Sequence, residues 1–169
     1  MAEQDTTTKT PPREIRRGDV RLVRWHDKRL DRWIAKHHYL GYTPPGAILR
    51  FWVLEGKRIV GAMMFGRPSS RMLDQYRILE LTRMYFVDDT KPFIESQALS
   101  MARSYIRRYL PHVKGLIAYS SPAYGHEGTV YLADGWFCVG RTQGGTWSNR
   151  TRIRRDVDPT PKLRWVRTP

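Results

Sequence analysis

The sequence predicts a single α/β domain: a mixed, mainly antiparallel sheet flanked by helices. Three observations lead there. The chain has 169 residues, 40% apolar and 12% aromatic, enough for one packed core. Strand-like and helix-like segments follow one another as β-α-β-β-β-α-β-α-β-β, with no internal repeat. Two strand-like runs, residues 48–55 and 57–65, are joined only at "EGK", so they form a hairpin with antiparallel neighbours.

Residues 1–17 are polar and basic and are expected to be a flexible arm, leaving 18–169 as the domain with a basic C-terminal segment. "DVRLVRW" (19–25) alternates as a first strand, and Asp27 is placed to cap a helix through about His38. That helix carries an apolar stripe of Leu30, Trp33 and Ile34, which His37 continues, so His37 is expected in the core. "GYTPPG" stops it, since two prolines cannot continue a helix. After the hairpin, residues 67–77 form a polar loop with Arg67, Arg71 and Arg77. "ILELTRMYFV" (78–87) is apolar on both faces and reads as a central strand.

"DDTKP" then supplies a helix start, with Asp89 or Thr90 as cap and Pro92 in the first turn. The helix extends to about Leu110 along a stripe of Ile94, Ala98, Met101, Ala102, Tyr105, Ile106 and Tyr109. Arg107 and Arg108 complement its C-terminal dipole, and Pro111 ends it. "GLIAYSS" (115–121) is a strand, "EGTVYLAD" (127–134) a short helix and "WFCVGRT" (136–142) a strand. The alternating "TRIRRDV" and "KLRWV" hold one last strand. Cys138, the single cysteine, excludes an internal disulfide and is expected in the core of its apolar run.

Lys and Arg total 30 against 16 Asp and Glu, a net charge of +14. Such an excess on one domain favours a polyanion: DNA or RNA, with an anionic membrane surface less favoured. No apolar leader and no run of transmembrane length is present, so the expected location is the cytoplasm, without membrane contact.

The element order and the Tyr131, Gly135, Trp136 segment resemble the GNAT acyltransferase fold. Five ordered segments are more specific: "HHYLG" (37–41), "VGAMMFGRP" (60–68), "ILELTRMY" (78–85), "ESQALS" (95–100) and "YGHEGTVYLADGW" (124–136). Together they resemble the Mom family of bacteriophage DNA-modification proteins over roughly residues 20–145. The resemblance implies transfer of a carbamoylmethyl-type group to the N6 amine of adenine in double-stranded DNA, protecting phage DNA from restriction. Ordinary GNAT enzymes cradle the pyrophosphate of acetyl-CoA in a glycine-rich turn before the long helix. Here that segment is "VDDTKPFIES", without glycine and with adjacent Asp88 and Asp89. The donor is therefore left open, acetyl-CoA included. Two other readings stand beside this one: an ordinary N-acyltransferase on a protein or small amine, and a non-catalytic DNA-binding protein on the same fold.

His38 and Tyr39 sit at a helix end beside a glycine- and proline-rich loop, where titratable and phenolic groups can act. His126 lies between Gly125 and Gly128, in a tight turn beyond a strand's carboxyl end, where α/β domains place ligand clefts. Its alternative is a helix cap. A cluster of His38, Tyr39 and His126 has the donor types for iron, but Ser121 stands where the resemblance leads one to expect an aspartate. From the GNAT resemblance Tyr131 takes the role of general acid, with plain packing as the alternative. Lys91, Glu95 and Ser96 are the candidates for the donor. Tyr119, Ser121 and Tyr124 border the same expected cleft. Arg67, Arg71, Arg77, Arg150, Arg152, Arg154 and Arg155 are the phosphate candidates.

Overall fold

The computed structural model describes residues 10–145 and 158–169. Among these described residues, eight strands and three α-helices follow in the order β1 (Glu14–Arg17), β2 (Val20–Arg24), α1 (Arg29–His37), β3 (Ala47–Glu55), β4 (Arg58–Gly66), β5 (Ile78–Phe86), α2 (Ile94–Tyr109), β6 (Gly115–Ser120), α3 (Thr129–Ala133), β7 (Phe137–Arg141) and β8 (Leu163–Arg167). All lie in one sheet, ordered β1-β2-β3-β4-β5-β6-β8-β7. Every neighbouring pair is antiparallel except β5 and β6. That parallel step requires a crossover, which α2 supplies.

Two apolar clusters cover the two faces. Leu99, Ala102, Tyr105 and Ile106 of α2 pack with Phe51, Val53, Met63 and Phe65 of the sheet. On the opposite face Leu30 and Ile34 of α1 pack on Trp52, Ala62 and Met64. Strands β3 and β4 serve both clusters, which is why "FWV" and "VGAMMF" are apolar without alternation.

Several expectations are corrected. Glu14–Arg17, expected at the end of the arm, is a strand paired with β2 from Glu14↔Val23 to Arg17↔Val20. Backbone pairing builds it together with Ile15, which packs on the main core, and Glu14, which pairs with Arg21; one apolar residue in four announces no strand. Asp27 is not the N-cap of α1, which is Lys28, although Asp27 Oδ1 accepts the Arg29 N–H at 2.8 Å. Helix α2 starts later than "DDTKP". Its N-cap is Phe93, with φ of 65°, and Pro92 precedes the helix. Asp89 and Lys91 are drawn instead into ion pairs with Arg58, Asp19 and Glu55 along the sheet. His37 is exposed, although it still faces the sheet at the last turn of α1. Its ring lies on Tyr85 and Trp33, with centroids 5.4 and 4.9 Å away. Cys138 is exposed too, since β7 closes the sheet and all of its residues face solvent. "TRIRRDV" lies outside the described residues.

Candidate active site

The site begins with a missing ladder. Strands β5 and β6 pair only from Ile78↔Gly115 to Leu81↔Ala118, although both continue beyond. At that point the register between β4 and β5 steps from Met64↔Arg83 to Phe65↔Leu81, which leaves Thr82 as a bulge residue. Its hydroxyl donates to the Met64 carbonyl at 3.1 Å. An extra residue bends a strand, so β5 turns away from β6 and a cleft of about 1090 Å³ opens between them.

Three segments bring polar groups to its walls. At the end of α1 the chain turns extended at His38, whose N–H still donates to the Ile34 carbonyl at 2.7 Å. His38 and Tyr39 then line the cleft. The Leu40 N–H donates to His38 Nδ1 at 3.2 Å. A neutral ring that accepts at Nδ1 carries its proton on Nε2, so His38 presents a donor. Burial, with the charges of Arg83 and His126, pushes its pKa down to about 4. Burial, reinforced by the Asp158 carboxylate, pushes the Tyr39 phenol up to about 12.

The second segment is the turn from Ser121 to Gly128. The Ser121 carbonyl accepts the N–H groups of Tyr124 and His126, both at 3.1 Å. Gly125 and Gly128 adopt φ of 77° and 83°, which L side chains rarely reach. The turn delivers His126 onto Tyr39 with ring centroids 5.0 Å apart. Tyr124 and His38 each lie 4.7 Å from the same ring. In the third segment Tyr131 of α3 is buried at the cleft wall, stacked 5.6 Å from Trp165, and burial raises its phenol. Glu95, in the first turn of α2, also lines the cleft. Desolvation there raises its carboxyl while His126 opposes the shift.

The Mom protein family matches residues 21–156, which carry β2 through β7 and most of the cleft's lining. The chain belongs to the Mom protein family. A relative, the methylcarbamoylase mom of Escherichia phage Mu, is 29% identical over 121 residues, covering 64% of this chain and 50% of its own. The chain thus spans about half the length of that curated relative. Solved acetyltransferases share the fold at low identity. The Vibrio cholerae spermidine N-acetyltransferase in complex with CoA and spermine superposes with a TM-score of 0.64 at 12% identity, covering 90% of this chain and 96% of that one. The Vibrio fischeri ribosomal-protein-S5-alanine acetyltransferase gives 0.63 at 8%, covering 92% and 96%. A GNAT family acetyltransferase from Elizabethkingia anophelis with acetyl-CoA bound gives 0.59 at 10%, covering 90% and 99%.

Within this Mom-family chain the cleft gathers His38, Tyr39, His126, Tyr131, Glu95, Tyr119, Ser121 and Arg67, with Tyr124 stacked beside Tyr39. It does not gather Lys91, which pairs with Asp19 and Glu55, or Ser96, whose hydroxyl donates to the Phe93 carbonyl at 3.0 Å. Arg71 and Arg77 are exposed on the loop outside the cleft. The Arg77 carbonyl binds the Lys114 and Gly115 N–H groups at the start of β6, away from the opening. Arg150, Arg152, Arg154 and Arg155 lie outside the described residues.

Three cleft residues escaped the sequence reading. Glu80 accepts the Ser69 N–H and hydroxyl at 2.7 and 2.8 Å, and burial raises its carboxyl against those bonds. Arg83 donates to the Tyr42 and Thr82 carbonyls at 3.1 and 2.6 Å, and burial lowers its pKa. Both were visible as charges inside an apolar central strand. Asp158 meets Tyr39 across 119 positions of sequence, with no local signal.

Neither expected cofactor fits these residues as they stand. Metal ligation needs in-plane lone pairs converging on one point, whereas His38 and His126 lie face-on to Tyr39 at 30° and 36°. Among the described residues no group of three His, Cys, Asp or Glu gathers. For acetyl-CoA, the opening between β5 and β6 is present, but the α2 start offers Asp88, Asp89 and a Lys91 already paired.

Proposed function

We propose that this chain is a DNA-modifying transferase that adds a carbamoylmethyl- or acyl-type group to the N6 amine of adenine in duplex DNA, shielding phage DNA from restriction in the host cytoplasm. The observation that carries the reading is a Mom-family chain with His38, Tyr39, His126 and Tyr131 around one cleft. The net charge of +14 fits a DNA partner. Among the described residues no helix is long and apolar enough to cross a membrane.

The N6 lone pair is delocalised into the purine ring, and the amine is hidden by pairing and stacking, so the base must leave the helix. Tyr119 and the Tyr39–Tyr124 stack supply aromatic surface for an extruded base. His38, neutral and donating through Nε2, polarises an acceptor atom. His126 is the group set to receive the amine proton, and Tyr131, held as a phenol by burial, protonates the leaving group. Arg67 at the rim meets a phosphate.

Nucleoside mass spectrometry of plasmid DNA from cells expressing the chain tests this. Deoxyadenosine heavier by the added group, absent with His126→Ala, is expected. Unmodified adenine throughout, with folded protein present, overturns the reading and leaves the non-catalytic DNA-binding alternative.

A further inference from the structure

We infer that Asp158 is a positioning residue for Tyr39: its buried carboxylate takes the phenol proton in a hydrogen bond and leaves the oxygen facing the cleft as an acceptor. This rests on the reading above, in which Tyr39 belongs to the reacting site. Asp158 lies just before β8, outside the segment matched by the family.

The geometry is specific. The Asp158 side chain is 1% exposed. Its Oδ1 accepts the Thr160 N–H at 3.0 Å and the Thr160 hydroxyl, while Lys162 Nζ lies 3.4 Å from Oδ2. The Tyr39 hydroxyl donates to Oδ2 at 3.4 Å, a long bond by the usual O–H···O range, and the Ser121 hydroxyl bonds the same phenol oxygen. Burial alone would raise the carboxyl, but the bonds from Thr160 and Ser121 outweigh it and hold Asp158 below its ordinary value. An ionised carboxylate accepts only, and a phenol has one proton to give. With that proton committed to Asp158, Tyr39 turns only lone pairs toward the cleft. The acceptor substrate must then arrive with an N–H, which an amine has and a carbonyl lacks. Asp158 therefore acts through Tyr39 to select and orient the nucleophile.

The test uses the full chain with Asp158→Asn and Asp158→Ala, and two readouts. In fluorotyrosine-labelled protein, fluorine NMR follows ionisation of Tyr39, its resonance identified by loss in Tyr39→Phe. His38, Arg83, His126 and Tyr124 also face or influence that ring and are unchanged in these variants. Removing the carboxylate charge is expected to move the Tyr39 midpoint to lower pH. In the modification assay kcat is expected to fall roughly tenfold for Asp158→Asn and roughly a hundredfold for Asp158→Ala, with KM for DNA unchanged. A Tyr39 midpoint unmoved in Asp158→Asn overturns the contact. A moved midpoint with unchanged kcat overturns the positioning role. If the parent chain modifies no DNA, the proposed function fails while the titration still decides the Asp158–Tyr39 contact.

Discussion

Gly128 lies flat against Trp165: a Cβ at Gly128 would stand 2.1 Å from the indole Cζ2. The indole cannot swing aside, because it is 2% exposed and its N–H donates to Ser120 Oγ at 2.9 Å. This contact presses the His126 turn onto β8 and places Tyr131 on the same ring. Gly128→Ala combines that clash with φ of 83°, and a loss of about 3 kcal/mol is expected. Urea unfolding measures it. Stability equal to the parent would mean that the turn does not depend on this approach.

A second anchor holds α3. Arg103 Nε and Nη2 donate to Asp134 Oδ2 and Oδ1, each at 2.8 Å, with side chains 12% and 4% exposed. The Trp136 indole N–H adds a third bond to Asp134 at 2.8 Å. Removing one partner of a buried pair strands the other's charge. Arg103→Met should therefore cost about 3–5 kcal/mol. Combining it with Asp134→Asn, which keeps an acceptor for Trp136, should recover most of the loss. A double variant no more stable than Arg103→Met would assign the cost to packing instead.

The sheet was legible because its strands are apolar runs bounded by glycine, proline and charge. The hairpin of β3 and β4, the central place of β5 and the C-terminal end of α2 all follow from pattern. His38, Tyr39 and His126 were legible for a different reason, since each sits where glycine or proline forces the chain to turn at an element's end. What sequence hid was tertiary. β1 is held by backbone pairing and by Ile15 alone on the core, too little apolar pattern to read as a strand. Cys138 sits in an apolar run on an exposed edge strand, and His37 stacks on Tyr85 with the rest of its ring in solvent. Phe93 takes a backbone conformation that glycine favours, and Asp158 acquires meaning only when β8 brings it beside Tyr39.

Acid pH should expose the cost of keeping His38 neutral. Its folded pKa is held at about 4, below the ordinary value near 6.5. Between those limits the unfolded chain binds a proton that the native state refuses, so stability falls as pH drops through the window and rises with pH back toward neutral. The ring is half-buried, so the contribution is about 1–2 kcal/mol after allowing for screening. His38→Gln should lose less stability than the parent between pH 7 and pH 4.5, measured by urea unfolding at both. Parallel losses would show that carboxylates held below their ordinary value, such as Asp158, set the acid profile.

DNA affinity and chemistry should separate cleanly. Charge acts on the approach of the polyanion over distances salt can screen, whereas the cleft acts on one base after contact. With a net charge of +14, log affinity should fall steeply with log salt. Changing Arg150, Arg152 and Arg154 together to Gln should flatten that slope by about 2–3 if each meets one phosphate. Modification at saturating DNA and low salt should persist. His126→Ala should do the reverse, keeping the parent slope while losing the modified base. An unchanged slope in the triple variant would remove the C-terminal segment from the DNA contact and leave Arg67 and the cleft rim to carry it.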